Sequence, residues 1–364
     1  MGDARGGGDH GAVRRRISRP LLVGPFRGLG LTGAAFVTGG TGFLGGAIVE
    51  RLLADGRIVK TIARSDESAH ALRTLGAEPV RGDILDAEAL TAAMRGCEVV
   101  YHAAGVNALC LRDPSPLFEV NVRGSRNVVY AAAAAGVRRV VYTSSAAAVG
   151  EARGTVGTET SPHRGWFLSS YERSKFEAEQ AVLRAARETG IEVICANPAS
   201  VQGPGRATGS TKLLLDYLNG KLKAIVDSTI SLVDIADCTE GHLLAEVRGE
   251  PGERYVLSGA TVTVREGIQL LDRLTGIDEP VRALPPAVAT AAAVAVETAA
   301  RLRRTTPRVC RDLVRTALHG HSYDGSRAER ELGLSYTPLE ETIRRTVGWF
   351  LEQGLVDRRL PRTG

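Results

Sequence analysis

Thr38-Gly39-Gly40-Thr41-Gly42-Phe43-Leu44-Gly45 directly follows an apolar run at 34–38 and opens a helix-like stretch at 43–54. Glycines at 39, 42 and 45 permit a tight turn, close approach of a pyrophosphate and close helix–strand packing. The first turn of the helix then offers unpaired N–H groups and a positive dipole to phosphate. Strand, glycine turn and helix in that order give the motif its meaning. They predict a dinucleotide site built from Gly39, Thr41, Gly42, Phe43, Leu44 and Gly45.

The rhythm around this stretch extends the reading. Apolar strand-like runs at 34–38, 58–63, 78–81, 98–102, 139–144 and 192–196 alternate with helical patterns at 43–54, 67–75, 86–95, 115–135 and 169–189. Gly56, Gly76, Gly96, Gly136 and Gly190 each stand where a helix should end, as C-terminal caps do. Short buried strands joined by helices predict an α/β fold, a doubly wound Rossmann parallel sheet. After residue 200 the rhythm breaks. The expected division is a dinucleotide-binding domain at 34–202 with 231–258 returning to it. A smaller, mainly helical substrate lobe takes 203–230 and 259–354, and a tail follows at 355–364. The stretch 203–230 reads as irregular.

Composition narrows the function. Apolar residues are 43% and charged residues 24%, a globular mixture. Residues 1–33 hold six arginines against Asp3 and Asp9, +4 of the total +5, so the folded body carries no basic patch for nucleic acid. This segment reads as a disordered leader. Arg14-Arg15-Arg16 is not followed by the apolar stretch a signal peptide needs. The Ala-rich run at 286–300 is too short to span a membrane and reads as a packed helix. A soluble, cytoplasmic protein is expected. Five cysteines without a CxxC or Cys/His cluster argue against a disulfide framework and against a metal site.

The second strand ends at Arg64. An arginine at that place accommodates a 2′-phosphate, so NADP(H) is preferred over NAD(H), with Asp66 turning back to the ribose as the alternative. Asp83 and Ile84 should border the adenine, and Ala103 and Ala104 should line the cofactor.

Tyr171 and Lys175 are four apart and share a helix face. An ammonium beside a phenol stabilises the phenolate, which fits Tyr171 for proton exchange with a substrate oxygen. Ser144 and Ser145 end a strand at the carboxyl edge, where a hydroxyl can bind a carbonyl oxygen as charge develops.

Together these residues resemble the extended short-chain dehydrogenase/reductase superfamily, also called the NAD-dependent epimerase/dehydratase family, over 34–354. The resemblance is carried by GGTGFLG at 39–45, HAAG at 102–105, NVRGSRNV at 121–128, YTSS at 142–145, YERSK at 171–175, NPASVQGPG at 197–205 and VDIAD at 233–237. Arg64 and the segments at 231–244 and 322–334 look most like the dihydroflavonol-4-reductase branch. The resemblance implies catalytic Ser145, Tyr171 and Lys175, with Lys175 on the nicotinamide ribose. It also implies Pro198 beside the nicotinamide, a structural Asn121, and a homodimer through the helices at 115–135 and 169–189.

The expected reaction is hydride transfer to or from a ketone, aldehyde or secondary alcohol. Ala146-Ala147-Ala148 replace the acidic pair that sugar dehydratases of the superfamily carry. A nucleotide-sugar epimerase is the rival, weakened by Thr229, Ile230, Ser231 and Leu232 standing where such enzymes show an arginine and an aromatic residue. A non-catalytic cofactor sensor is the rival of another class. Trp166, Phe167, Asn107, Gln202 and His163 are candidate contacts to a small-molecule substrate.

Overall fold

The computed structural model describes residues 33–358 and 360–361. The expected leader, apart from its last residue, and Arg359 and Arg362 of the tail lie outside the described residues. Strands β1 (Ala34–Thr38), β2 (Val59–Ala63), β3 (Glu78–Arg81), β4 (Cys97–His102), β5 (Arg139–Thr143) and β6 (Glu192–Pro198) run parallel. Helices α1 (Phe43–Ala54), α2 (Asp66–Leu75), α3 (Ala87–Met94), α4 (Ser115–Phe118), α5 (Ser125–Ala134) and α6 (Ser170–Thr189) connect them. All five anticipated cap glycines have positive φ. Between α4 and α5 the helix widens into a π turn at Glu119–Gly124.

Further along come β7 (Ser200–Gln202), α7 (Thr211–Leu218), β8 (Ala224–Ile225), β9 (Thr229–Asp234), α8 (Ile235–Arg248), β10 (Arg254–Leu257) and β11 (Ala260–Thr263). They are followed by α9 (Val264–Thr275), β12 (Arg282–Ala283), α10 (Pro286–Leu302), α11 (Arg311–His319) and α12 (Leu339–Glu352). β10 joins the main sheet, whose order is β10-β6-β5-β4-β1-β2-β3. β9 instead sits between β7 and β11 in a second sheet. The stretch 203–230 is less irregular than its composition suggests, because Leu214, Leu215, Tyr217 and Leu218 of α7 give it an apolar face against α9 and α12.

Each face of the main sheet has its own core. Val37, Tyr101, Val141 and Ile194 pack with residues of α1 and α8. Phe36, Val100, Val140 and Val193 pack with residues of α3, α5 and α6. Strands buried on both faces explain the continuous apolar runs. Arg57, just ahead of β2, makes a nearly dry ion pair with Glu246 of α8 at 2.7 Å; Tyr101 also donates to Glu246.

Two expectations fail here. Cys110 and Cys310 form a disulfide across 200 residues of sequence. It ties the segment after β4 to the start of α11, and no local spacing announces a pair so far apart. Helix α10 is also less packed than expected, with Val288, Val294, Val296 and Leu302 exposed.

Candidate active site

The glycine turn is shaped by contacts that only glycine allows. Gly39 has φ +73°, and a Cβ there would lie 2.8 Å from the Ala104 nitrogen. A Cβ on Gly45 would collide with the Gly39 carbonyl. Gly42 N–H donates to that carbonyl at 2.8 Å and opens α1 without a side-chain cap. The first turn of α1 carries no acid and no side-chain cap, the condition in which its N–H groups can receive a phosphate. The hydroxyl of Thr38 accepts from the Ala104 N–H at 3.1 Å and pairs with His102 at 2.7 Å, which fixes Ala103 and Ala104 against the loop.

Arg64 is exposed just past β2, while Ser65 caps α2. Asp66 pairs with Arg81 at 3.1 Å on the open surface. Asp83 accepts from the Leu85 N–H at 2.9 Å, and Ile84 is buried against Gly124.

The strand end separates the two serines. Ser144 donates to Glu179 at 2.5 Å and is buried. Asn197 donates to the same carboxylate at 2.7 Å, and Arg254 holds its other oxygen at 3.1 Å. Ser144 is thus committed to structure. Ser145, one residue on, caps the short helix Ala146–Val149 and is one of the groups that hold the Tyr171 phenol down. Pro198 is buried at the end of β6.

Lys175 departs from expectation. Its ammonium donates to the Thr143 carbonyl at 2.9 Å and to the Tyr142 hydroxyl at 3.2 Å, and lies 4.9 Å from the Tyr142 ring centroid. It is not among the groups that shift Tyr171. Burial raises the Tyr171 phenol, opposed by the Ser145 hydrogen bond and the charge of Arg206. Burial likewise pulls Lys175 down to about 8, against the attraction of Glu179. Sharing a helix face brought the two side chains near one cleft, but the strand beneath offers Lys175 better acceptors than the phenol.

Arg206 escaped sequence reading. Its guanidinium lies 4.5 Å from the centroid of the Phe43 ring on the glycine loop, and donates to the Val201 carbonyl at 2.8 Å. Its Nε is buried without a partner, and no described acid pairs with it. A cation in that setting calls for an anionic or polar ligand. The only local signal is its place in the Gly203-Pro204-Gly205-Arg206 turn.

Asn121 bridges two parts of the site. Its Oδ1 accepts from Val106 N–H at 2.8 Å, and its Nδ2 donates to Val106 O at 3.0 Å and Ser174 Oγ at 2.9 Å. It therefore holds the segment after β4 against α6. Gln202 is already engaged within the protein. It is buried, donating to Ser200 and Ser210 and accepting from Thr211. Phe167 packs with His163 and Phe176, whereas Trp166 and Asn107 are exposed. A second polar cluster was also missed. His321 meets Glu151 at 2.6 Å and Tyr323 at 3.0 Å, with His319 at 3.5 Å from the carboxylate.

The model of the family described as NAD dependent epimerase/dehydratase matches residues 35–258. "Sterol demethylase protein B" of Methylococcus capsulatus is 35% identical over 331 residues, covering 88% of this chain and 99% of that protein. A Synechocystis protein provisionally named dihydroflavonol 4-reductase is 33% identical, covering 88% of this chain and 95% of its own length. Among solved structures, that of gox2253 aligns with a TM-score of 0.79 at 30% identity, covering 90% of this chain and all of that one.

Proposed function

The chain belongs to the NAD-dependent epimerase/dehydratase family, and from that premise we propose an NADP(H)-preferring oxidoreductase that interconverts a ketone or aldehyde with its alcohol. The observation that carries this reading is the placing of Ser145 beside Tyr171, where it lowers the phenol against the effect of burial, with the neighbouring Ser144 engaged by Glu179. A nicotinamide dinucleotide, when bound, supplies or accepts the hydride. The N–H groups of α1 hold its diphosphate. Ser145 and Tyr171 hold the carbonyl oxygen, and the Tyr171 hydroxyl delivers the proton. Lys175, at the edge of β5, would hold the nicotinamide ribose. Residues 203–230 and 259–354 form the substrate lobe.

The three alanines after Ser145 leave no acid or base beside it for loss of water. That favours simple hydride transfer over dehydration. The relatives' names support a reductase over a nucleotide-sugar epimerase.

Arg64 is the proposed reader of the 2′-phosphate. Arg64→Ala is expected to weaken NADPH binding by about 10- to 100-fold and leave NADH nearly unchanged, since a charge-assisted contact contributes about 1.5–3 kcal/mol. Fluorescence titration with both cofactors checks this. Equal losses for both would remove the assignment.

The state of Lys175 gives a pH dependence. Below about 8 its ammonium is present, and as pH rises through about 8 the charge is lost. NADPH affinity is therefore expected to be flat on the acid side and to fall on the alkaline side, with the break moved upward by the bound phosphates. The same titration across pH tests it. An affinity independent of pH on the alkaline side would contradict the role.

A homodimer through α5 and α6 completes the proposal, together with a cytoplasmic location that requires the Cys110–Cys310 pair to be held as thiols in the cell, against the bridge seen in the fold. Sedimentation velocity tests the first. Alkylation of Cys110 and Cys310 at cell lysis tests the second, because a reducing compartment keeps such a pair as thiols. A sedimentation coefficient of a monomer, or a fully oxidised pair, would count against them.

A further inference from the structure

Helix α10 buries one narrow stripe. Ala289 and Ala293 pack with Val314 of α11, and Ala300 is buried on the same side. Val288, Val294 and Val296 stand in water, and Leu302 is 82% exposed. Between 283 and 300 the only charged side chain is Glu297, which is held by Arg301 at 2.8 Å and Arg311 at 3.1 Å. A helix apolar all round is ordinarily covered on most sides. Leu111 and Val309, next in sequence to the cysteines of the Cys110–Cys310 disulfide, are exposed too. A contiguous patch of this kind marks an interaction surface.

Cations crowd the end of the helix, against the expectation that the folded body carries no basic patch. From 282 to 311 the chain carries six arginines and one acid. Arg303, Arg304 and Arg308 are exposed and make no ion pair among the described residues.

We propose that this face docks on an anionic lipid bilayer. Helix α10 would lie in the plane of the surface, with its valines and Leu302 at the acyl boundary and its arginines on the headgroups. Charge disfavours the other occupants. Residues 1–33 of this chain carry +4 and would meet the arginines as like charges. A second copy across a two-fold axis would set the same arginines against each other. Lying flat also agrees with the length of α10, since no helix among the described residues is long and apolar enough to cross a membrane. The face is mechanically joined to the catalytic rim. Arg315 of α11 donates to the Leu168 carbonyl at 2.6 Å, and Asp312 accepts from the Ser170 N–H at 3.3 Å, next to Tyr171. A docked α10 would bring the cleft close to the bilayer, where apolar substrates dissolve.

Co-sedimentation of the full-length protein with phosphatidylcholine vesicles, with and without phosphatidylglycerol, tests this independently of the reaction catalysed. Pelleting is expected only with phosphatidylglycerol and should decline with added salt. Arg303→Gln and Arg304→Gln should each weaken partitioning about fivefold. The double variant Val294→Asp, Leu302→Asp should lose it while keeping the wild-type circular dichroism spectrum and melting temperature. Protein that stays in the supernatant overturns the proposal, and so does pelleting that these substitutions leave unchanged. A dimer dissolved by the same substitutions also overturns it, since a second copy would then be the occupant.

Discussion

Tyr171→Phe is expected to lower kcat by about 10²- to 10⁴-fold, the range of a lost general acid, while NADPH still binds. The substitution removes one oxygen and leaves the ring packed as before. The lost hydroxyl is the group that burial raises and that Ser145 and Arg206 hold down. Because burial raises the phenol, the protonated form dominates at neutral pH, which suits delivery of a proton to a nascent alkoxide. The check is steady-state kinetics beside cofactor titration. Turnover near wild type would remove Tyr171 from the mechanism. Loss of cofactor binding together with turnover would show that the residue's part lies in the dinucleotide site.

Gly45→Ala is expected to cost about 1–3 kcal/mol, seen as loss of stability, of cofactor affinity or of both. Its new methyl would press on the Gly39 carbonyl, a backbone atom in the turn proposed to hold the diphosphate. Relief requires the turn to open, and the N–H groups then lose their aim. Gly348→Ala is the matched control. That glycine also lies in a helix, α12, but a Cβ there meets nothing within 4 Å. Alanine should stabilise it by about 0.5–1 kcal/mol through lower backbone entropy in the unfolded chain. Opposite signs in chemical denaturation are the expected result. Equal effects would mean that the contact with Gly39 does not shape the turn.

Much of this site could be read from local pattern. The glycine turn, the alternation of strands and helices, and the cap glycines are short-range features fixed by backbone geometry, and β1, α1 and β2 lie within a residue of where their pattern put them. What escaped depended on partners distant in sequence. Lys175 meets Tyr142 because β5 passes beneath α6, and helical spacing alone pointed it to Tyr171. Gln202 looked like a free polar group until Ser200, Ser210 and Thr211 closed around it. The Glu151, His319 and His321 cluster and the Cys110–Cys310 bridge join segments well over a hundred residues apart, and neither has a motif. Arg206 sits in an irregular turn whose position over Phe43 follows from the path of the chain after β7.

The most direct test of the central claim follows the hydride itself. The protein is incubated with NADPH deuterated at C4 of the nicotinamide and a panel of apolar ketones and aldehydes, and products are examined by mass spectrometry. The account predicts an alcohol carrying deuterium at the former carbonyl carbon, with NADP⁺ formed in equal amount, and neither in Tyr171→Phe. A cofactor that stays bound and unchanged in net redox state, with turnover only of nucleotide sugars, would contradict it and assign the site to epimerisation.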